Sequence, residues 1–254
     1  MPEVTDADMN LQENEISNAD PGPFRKQTNL FLGVLSQFCY VGAQVAVANY
    51  FISLCEQSGY DAATSSNLLA VGQGVYTAMR FISADLMTFR IFKPRYMIAT
   101  YLGLCFVFAL ATTLTRGKTS VAMIILTQAF ESMCFATIFT LALRGLGRHT
   151  KLGGSMLVAA ISGGAAVPPI AGAVATSTGS FHTAMAVPAA FFALSWVFPI
   201  YVNLVKGASM DEHRETKLNI DAAHAVDIKQ IELERAYGDG IHDKSGAREI
   251  VESI

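Results

Sequence analysis

A lone carboxylate among uncharged residues is the first feature of this sequence with chemical consequences. Glu131 interrupts the otherwise uncharged run from Thr119 to Leu143, and Thr127 and Gln128 lie four and three residues before it on the same helical face. An acid at the centre of a membrane-spanning helix costs about 3 kcal/mol on insertion scales, so Glu131 must face the protein interior or water, protonated or paired. Two readings stand: a site for a proton or polar substrate, or a structural acid hydrogen-bonded to another helix. Gln37, Tyr40 and Gln44 repeat at helical spacing in an earlier apolar run, with Asn49 further along; Gln73, Tyr76, Thr77 and Arg80 do so in the next. Such a stripe lines a cavity or bridges helices, and the spacing alone leaves both open. Arg80 and Asp85 fall near one end of their run, where Arg80 can snorkel to the interface and the pair can brace the following loop or gate it. Pro168-Pro169 lies in mid-run after Gly163-Gly164; two missing backbone donors predict a kink there, and a hinge.

The chemistry these residues do not spell is equally informative. The chain contains no HExxH, no GxSxG, no P-loop and no paired acids or histidines within an apolar run, so no enzyme, cofactor or metal site is expected. Cys39, Cys55, Cys105 and Cys134 stand singly in or beside apolar runs, as small buried hydrophobes do. No secretory signal peptide is visible, because the chain opens on acids and its first apolar run is too long for one.

The elements that hold these residues follow from composition. Of 254 residues 52% are hydrophobic and 15% charged, against about 25% charged in a typical soluble domain. The acids are concentrated in two polar ends, 1–23 and 209–254, and the bases in the apolar stretch between them. Bases scattered between apolar runs make no nucleic-acid surface. A bilayer core is crossed by about 20 apolar residues in helical form, and the sequence offers six such spans, at about 28–54, 63–86, 96–115, 119–143, 152–177 and 183–205. Their length and lack of two-residue alternation exclude barrel strands. The expected fold is therefore an all-α membrane protein with six transmembrane helices.

Loop charges orient it. Arg25, Lys26, Arg90, Lys93, Arg95, Arg144, Arg148, Lys151 and Lys206 fall on one side, and only Arg116 and Lys118 on the other. The positive-inside rule then puts both termini in the cytoplasm. Residues 1–23, with Pro21-Gly22-Pro23, read as an acidic cytoplasmic linker, and 209–254 as a polar cytoplasmic tail in which Asp221–Tyr237 could form a surface helix.

Three runs carry a family likeness. Gln37-Phe38-Cys39-Tyr40-Val41-Gly42-Ala43-Gln44 resembles the start of the seventh span of the L-fucose permease family, the fucose/galactose/glucose–proton symporters of the major facilitator superfamily. Phe135–Phe139, continuing through Leu143–Lys151, resembles that family's tenth span and its loop; Gly153–Ser155 and Gly163–Pro169 resemble the eleventh. Arg80-Phe81 resembles the Arg-Phe near the end of the eighth. The likeness covers residues 24–206 in order. It implies one six-helix half, carboxy-terminal, of a twelve-span transporter whose halves rock around a sugar held between them, with residues 1–23 corresponding to the stretch that joins the halves. The family's proton-coupling acids lie in its amino-terminal half, which this chain does not match.

The implied function is transport of a fucose- or hexose-like monosaccharide, proton-coupled in the complete protein. Gln44, Asn49, Gln73, Gln128 and Glu131 are the candidate hydroxyl partners, since amides and carboxylates both suit a sugar. The implied partners are the sugar, a proton, the lipid bilayer, and an amino-terminal half or a second copy of the chain; the implied location is the plasma membrane. The alternative is a non-transporting truncated product or a sugar-responsive membrane sensor.

Overall fold

The computed structural model describes residues 24–88 and 93–205, all of them in helices or short connections. The acidic segment 1–23, the loop residues 89–92 with Arg90, and the stretch 206–254 with its candidate surface helix lie outside the described residues. Among the described residues, ten α-helices make six long segments: α1 (Thr28–Gln57), α2 (Ala62–Thr88), α3 (Pro94–Leu114), then α4 (Lys118–Glu131) with α5 (Cys134–Leu143), α6 (Thr150–Ala159) with α7 (Gly163–Thr178), and α8 (Phe181–Ala184), α9 (Ala186–Ser195) and α10 (Val197–Leu204). Five of the six segments are long and apolar enough to cross a membrane. Helix α2 does not meet that standard of apolarity, because Asn67, Gln73, Arg80, Asp85 and several hydroxyl residues dilute it, but its 27 residues at about 1.5 Å each make about 40 Å, enough to span.

Local chemistry explains where segments begin and bend. Asp61 caps α2: its carboxylate accepts from the Thr64 backbone N–H at 3.1 Å, and its carbonyl accepts from Ser65 Oγ at 2.9 Å. The Thr64 hydrogen bonds hold this carboxyl below its usual range. Lys93 precedes a proline at the start of α3, where the missing N–H costs nothing. The sixth segment breaks at Met185 and Trp196, each three residues before a proline, Pro188 and Pro199. Pro199 cannot donate to the Ser195 carbonyl; Ser36 Oγ on α1 does so at 2.8 Å.

The expected kink at Pro168-Pro169 takes another form. Helix α7 extends through both prolines, and the irregular turn is a 3-10 segment upstream, Ala160–Ser162. That turn packs against α1, where Gly163 abuts the Phe38 backbone, while Gly164 and Ala165, four residues before the prolines, stay in regular helix.

Helix α1 is the hub. It packs against α5, α7 and α9, and Tyr40, Phe51, Leu30 and Leu54 are fully buried along it. Ile98, Leu102, Ile124, Ile138, Phe192 and Phe198 complete this core from α3, α4, α5, α9 and α10. Between helices in lipid there is no water to expel, so close packing and hydrogen bonds must hold the bundle. Glycines supply the closest approach: a Cβ on Gly163 would collide with the Phe38 backbone, and one on Gly42 would stand 2.9 Å from the Gly163 carbonyl oxygen. All four cysteines are buried and free. Phe81, Leu114 and Leu204 are more than two-thirds exposed, a placement that suits lipid.

Candidate functional site

Helices α1, α2 and α4 meet around a recess of about 290 Å³. Gln44 reaches it from α1, Gln73 and Tyr76 from α2, and Gln128 and Glu131 from α4, with Val45 and Ala48 completing the wall. Four of the five candidate hydroxyl partners are thus brought together. Asn49 is not among them. Five residues after Gln44, it is turned about 140° around α1, and it is exposed elsewhere.

The packing shows how these polar groups are held. Gly72 on α2 has no side chain because Gln128 occupies that space: a Cβ there would collide with the Gln128 amide oxygen. Both Gln128 and Glu131 are only 2% exposed, yet Gln128 Oε1 and Glu131 Oε1 accept no hydrogen bond from the protein. Buried polar atoms are nearly always paired, so two left unpaired on residues that line one recess fit a polar ligand. The wall also carries a half-buried amide from Gln44, an exposed amide from Gln73 and a phenol from Tyr76. Amides both donate and accept, the phenol does likewise, and the carboxylate accepts strongly. A ring of hydroxyls could use all of them.

Glu131 also marks a break. Helix α4 ends on it, and Ser132 and Met133 separate it from α5. Both linking residues keep right-handed helical dihedrals, so the break is an irregular turn within one continuous span. The Glu131 carbonyl accepts from Tyr40 Oη at 2.7 Å, so α1 covers a carbonyl at the helix end. Neither that break nor the part played by Tyr40 and Tyr76 stood among the candidate site residues. The signal for Tyr76 was its position three residues after Gln73 on one face.

The gating candidates at the end of α2 are arranged differently from the expected pair. Arg80 donates to Tyr76 Oη at 3.3 Å and lies 5.9 Å from its ring centre. It makes no ion pair with Asp85 among the described residues. A guanidinium over a phenol ring is attracted by the ring's negative face, and the four-residue spacing to Tyr76 permits this where the five-residue spacing to Asp85 does not favour contact. Pro168, on α7, is buried and its carbonyl accepts from Tyr50 Oη at 3.1 Å; Pro169 is exposed. Neither lines the recess.

A bundle with this helix order has known counterparts. The chain is 32% identical over 197 residues to the L-fucose–proton symporter of Escherichia coli, a match that covers 74% of this chain and 44% of that protein. The chain belongs to the fucose and glucose/galactose transporter family of the major facilitator superfamily. A glucose/galactose transporter of Brucella abortus matches at 32% identity over 183 residues, 70% of this chain and 44% of its own length. A crystal structure of the Escherichia coli fucose:proton symporter superposes with a TM-score of 0.66 at 31% identity, covering 73% of this chain and 47% of the other. No family model matches the sequence. The chain spans about half the length of the curated relatives it matches. As a family member it is a multi-pass membrane protein with a facilitator-superfamily half-fold.

Proposed function

We propose that this chain is a six-helix half of a monosaccharide transporter, and that the recess between α1, α2 and α4 is its share of the sugar site. The observation that carries the reading is the convergence of Gln44, Gln73, Gln128 and Glu131, from three helices, on one recess in a member of a sugar-transporter family. In this reading Gln128 and Glu131 hold sugar hydroxyls from α4, Gln44 and Gln73 do so from α1 and α2, and Tyr76 offers a ring edge and a hydroxyl. The sugar is fucose- or hexose-like, as the names of the relatives suggest, and transport in the complete assembly is coupled to protons. A second six-helix bundle, supplied by another polypeptide segment or a second copy, closes the other side of the site.

The reading places both termini in the cytoplasm and the protein in the plasma membrane. Six alternating segments put the start of α1, the end of α2, the start of α3, the end of α5, the start of α6 and the end of α10 on one side, beside Arg25, Lys93, Arg95, Arg144 and Lys151. That agrees with the positive-inside rule. Arg80 and Asp85 then lie near the cytoplasmic mouth, where Arg80 can gate by leaving Tyr76.

The test is uptake of labelled L-fucose, D-galactose and D-glucose by vesicles that contain the chain together with an amino-terminal half from a relative. Uptake above that of either part alone, reduced in Gln128→Ala, is the expected result. No uptake of any of the three sugars, with both parts inserted in the membrane, would refute it.

A further inference from the structure

At the end of the bundle away from its termini, one imidazole ties the links between segments together. Gln57, the last residue of α1, grips the link between the fifth and sixth segments from both sides. Its amide nitrogen donates to the Gly179 carbonyl at 3.1 Å, and its amide oxygen accepts from the Phe181 N–H at 2.7 Å. His182 follows directly and is only 3% exposed. Its Nδ1 lies 3.1 Å from Ser120 Oγ on α4, and its Nε2 lies 3.5 Å from Ser58 Oγ just beyond α1. Ser120 Oγ in turn donates to the Thr112 carbonyl on α3 at 3.0 Å. The first, third, fourth and sixth segments thus meet at His182, and Gln57 adds the end of the fifth. The start of α2 stands apart, capped within its own first turn by Asp61.

These bonds fix the proton on the ring. A hydroxyl has one hydrogen to give, and that of Ser120 goes to Thr112, so Ser120 Oγ accepts from Nδ1–H. Nε2 is then the bare nitrogen and accepts from Ser58 Oγ. A neutral ring therefore serves both serines. A proton on Nε2 turns that nitrogen into a donor, reverses the Ser58 bond and leaves a buried cation, which is costly unless paired. No carboxylate pairs with the ring among the described residues. On the elements packed against α8 the titratable groups are Cys55 and Glu56 at the end of α1, Tyr60 and Asp61 on the link to α2, Arg116 on the link from α3, and Lys118 at the start of α4. Helices α7 and α9 and the last two turns of α3 carry none. Glu56 is exposed, Asp61 is engaged with Thr64, and Arg116 is close enough to repel a charged ring. We propose that His182 is a pH-sensitive latch: neutral, it fastens the far ends of five segments into one block, and protonated, it slackens. The latch requires neither the sugar recess nor Glu131, so it stands apart from the transport reading.

The experiment is hydrogen–deuterium exchange on the full chain in lipid nanodiscs, without sugar, with rates corrected for the chemical pH dependence of exchange. Two conditions, about pH 8 and about pH 5, bracket the range in which a histidine titrates. The amides read are those of residues 57–61, 115–120 and 178–184. In the wild type they should exchange about fivefold faster at the lower pH, the scale of one lost hydrogen bond. His182→Gln carries an amide that donates to Ser120 and accepts from Ser58 without titrating, so it should exchange slowly under both conditions. Ser120→Ala removes the acceptor and should exchange fast under both. A wild type without an acid response overturns the proposal. So does a response kept in full by His182→Gln, or Ser120→Ala with wild-type rates. Failed sugar uptake would leave these rates, and the latch, untouched.

Discussion

Helix α1 meets its neighbours along two seams of opposite character. Toward α7 the contact is glycine on backbone: Gly42 and Gly163 bring main chains together, and the side-chain bonds, Tyr50 to the Pro168 carbonyl and Gln57 to the Gly179 carbonyl, lie further along. Toward α2 and α4 the contact opens into a recess walled by three amides, a phenol and a carboxyl. Helix α2, on the open seam, buries only Ser65, Gly72 and Ser83 among its described residues, and it is joined to α3 by a 2.9 Å bond between Ser83 and Tyr101 hydroxyls. The first seam has dispersion contacts at every level and nothing to gain by parting. The second leaves buried polar atoms unpaired, which under the proposed reading a polar ligand would pair. The difference teaches that in lipid, where expelling water cannot drive helices together, residue size decides which contacts are fixed and unpaired polarity decides which are for binding.

Substitutions can break that contrast, beginning with the tight seam. Gly163→Val drives a side chain into the Phe38 backbone; overpacking of this kind costs about 3 kcal/mol, to be read as lost resistance to denaturant in mixed micelles. Unchanged stability would mean that the seam is not close-packed. On the open seam the loss should appear in binding. Gln128→Ala removes an amide from the recess wall and is expected to weaken sugar binding about tenfold, which is about 1.4 kcal/mol, with a smaller effect on unfolding than Gly163→Val. Isothermal titration or tracer binding reads the first, and denaturant titration the second. Tyr40→Phe deletes the hydroxyl that serves the Glu131 carbonyl and should cost about 1 kcal/mol, measured the same way. If Tyr40→Phe proved neutral, the break would not depend on α1. Smallest of all, Asn49→Ala and Gly74→Ala should change uptake less than twofold and stability by less than about 0.5 kcal/mol. Asn49 is exposed outside the recess, and nothing lies within 4 Å of a Cβ built on Gly74. A large effect from Asn49→Ala would show that the binding surface reaches beyond the three-helix recess.

The all-helical, six-segment fold was legible in the sequence because a bilayer imposes one rule on every residue of a span, and long uncharged runs satisfy it without reference to neighbours. The helical faces were legible too, since 3.6-residue spacing fixes which side chains share a side. Gln44, Gln73, Gln128 and Glu131 could be named on that basis. Asn49 was named beside them, and the five-residue step from Gln44 already carried it off that face. What spacing cannot give is which faces of different helices meet. The gathering of three helices at the recess, the cover Tyr40 gives the Glu131 carbonyl and the seat of the Ala160–Ser162 turn against α1 all depend on partners distant in the chain. Tyr40 is 91 residues from Glu131, and Ser36 is 159 from Ser195. By itself the sequence determined how many times the chain crosses and which residues share a helix side, because those are local consequences of lipid and of helix geometry. Only the tertiary structure decided which side chains meet, because that rests on glycine-sized contacts and hydrogen bonds between segments that no local rule connects.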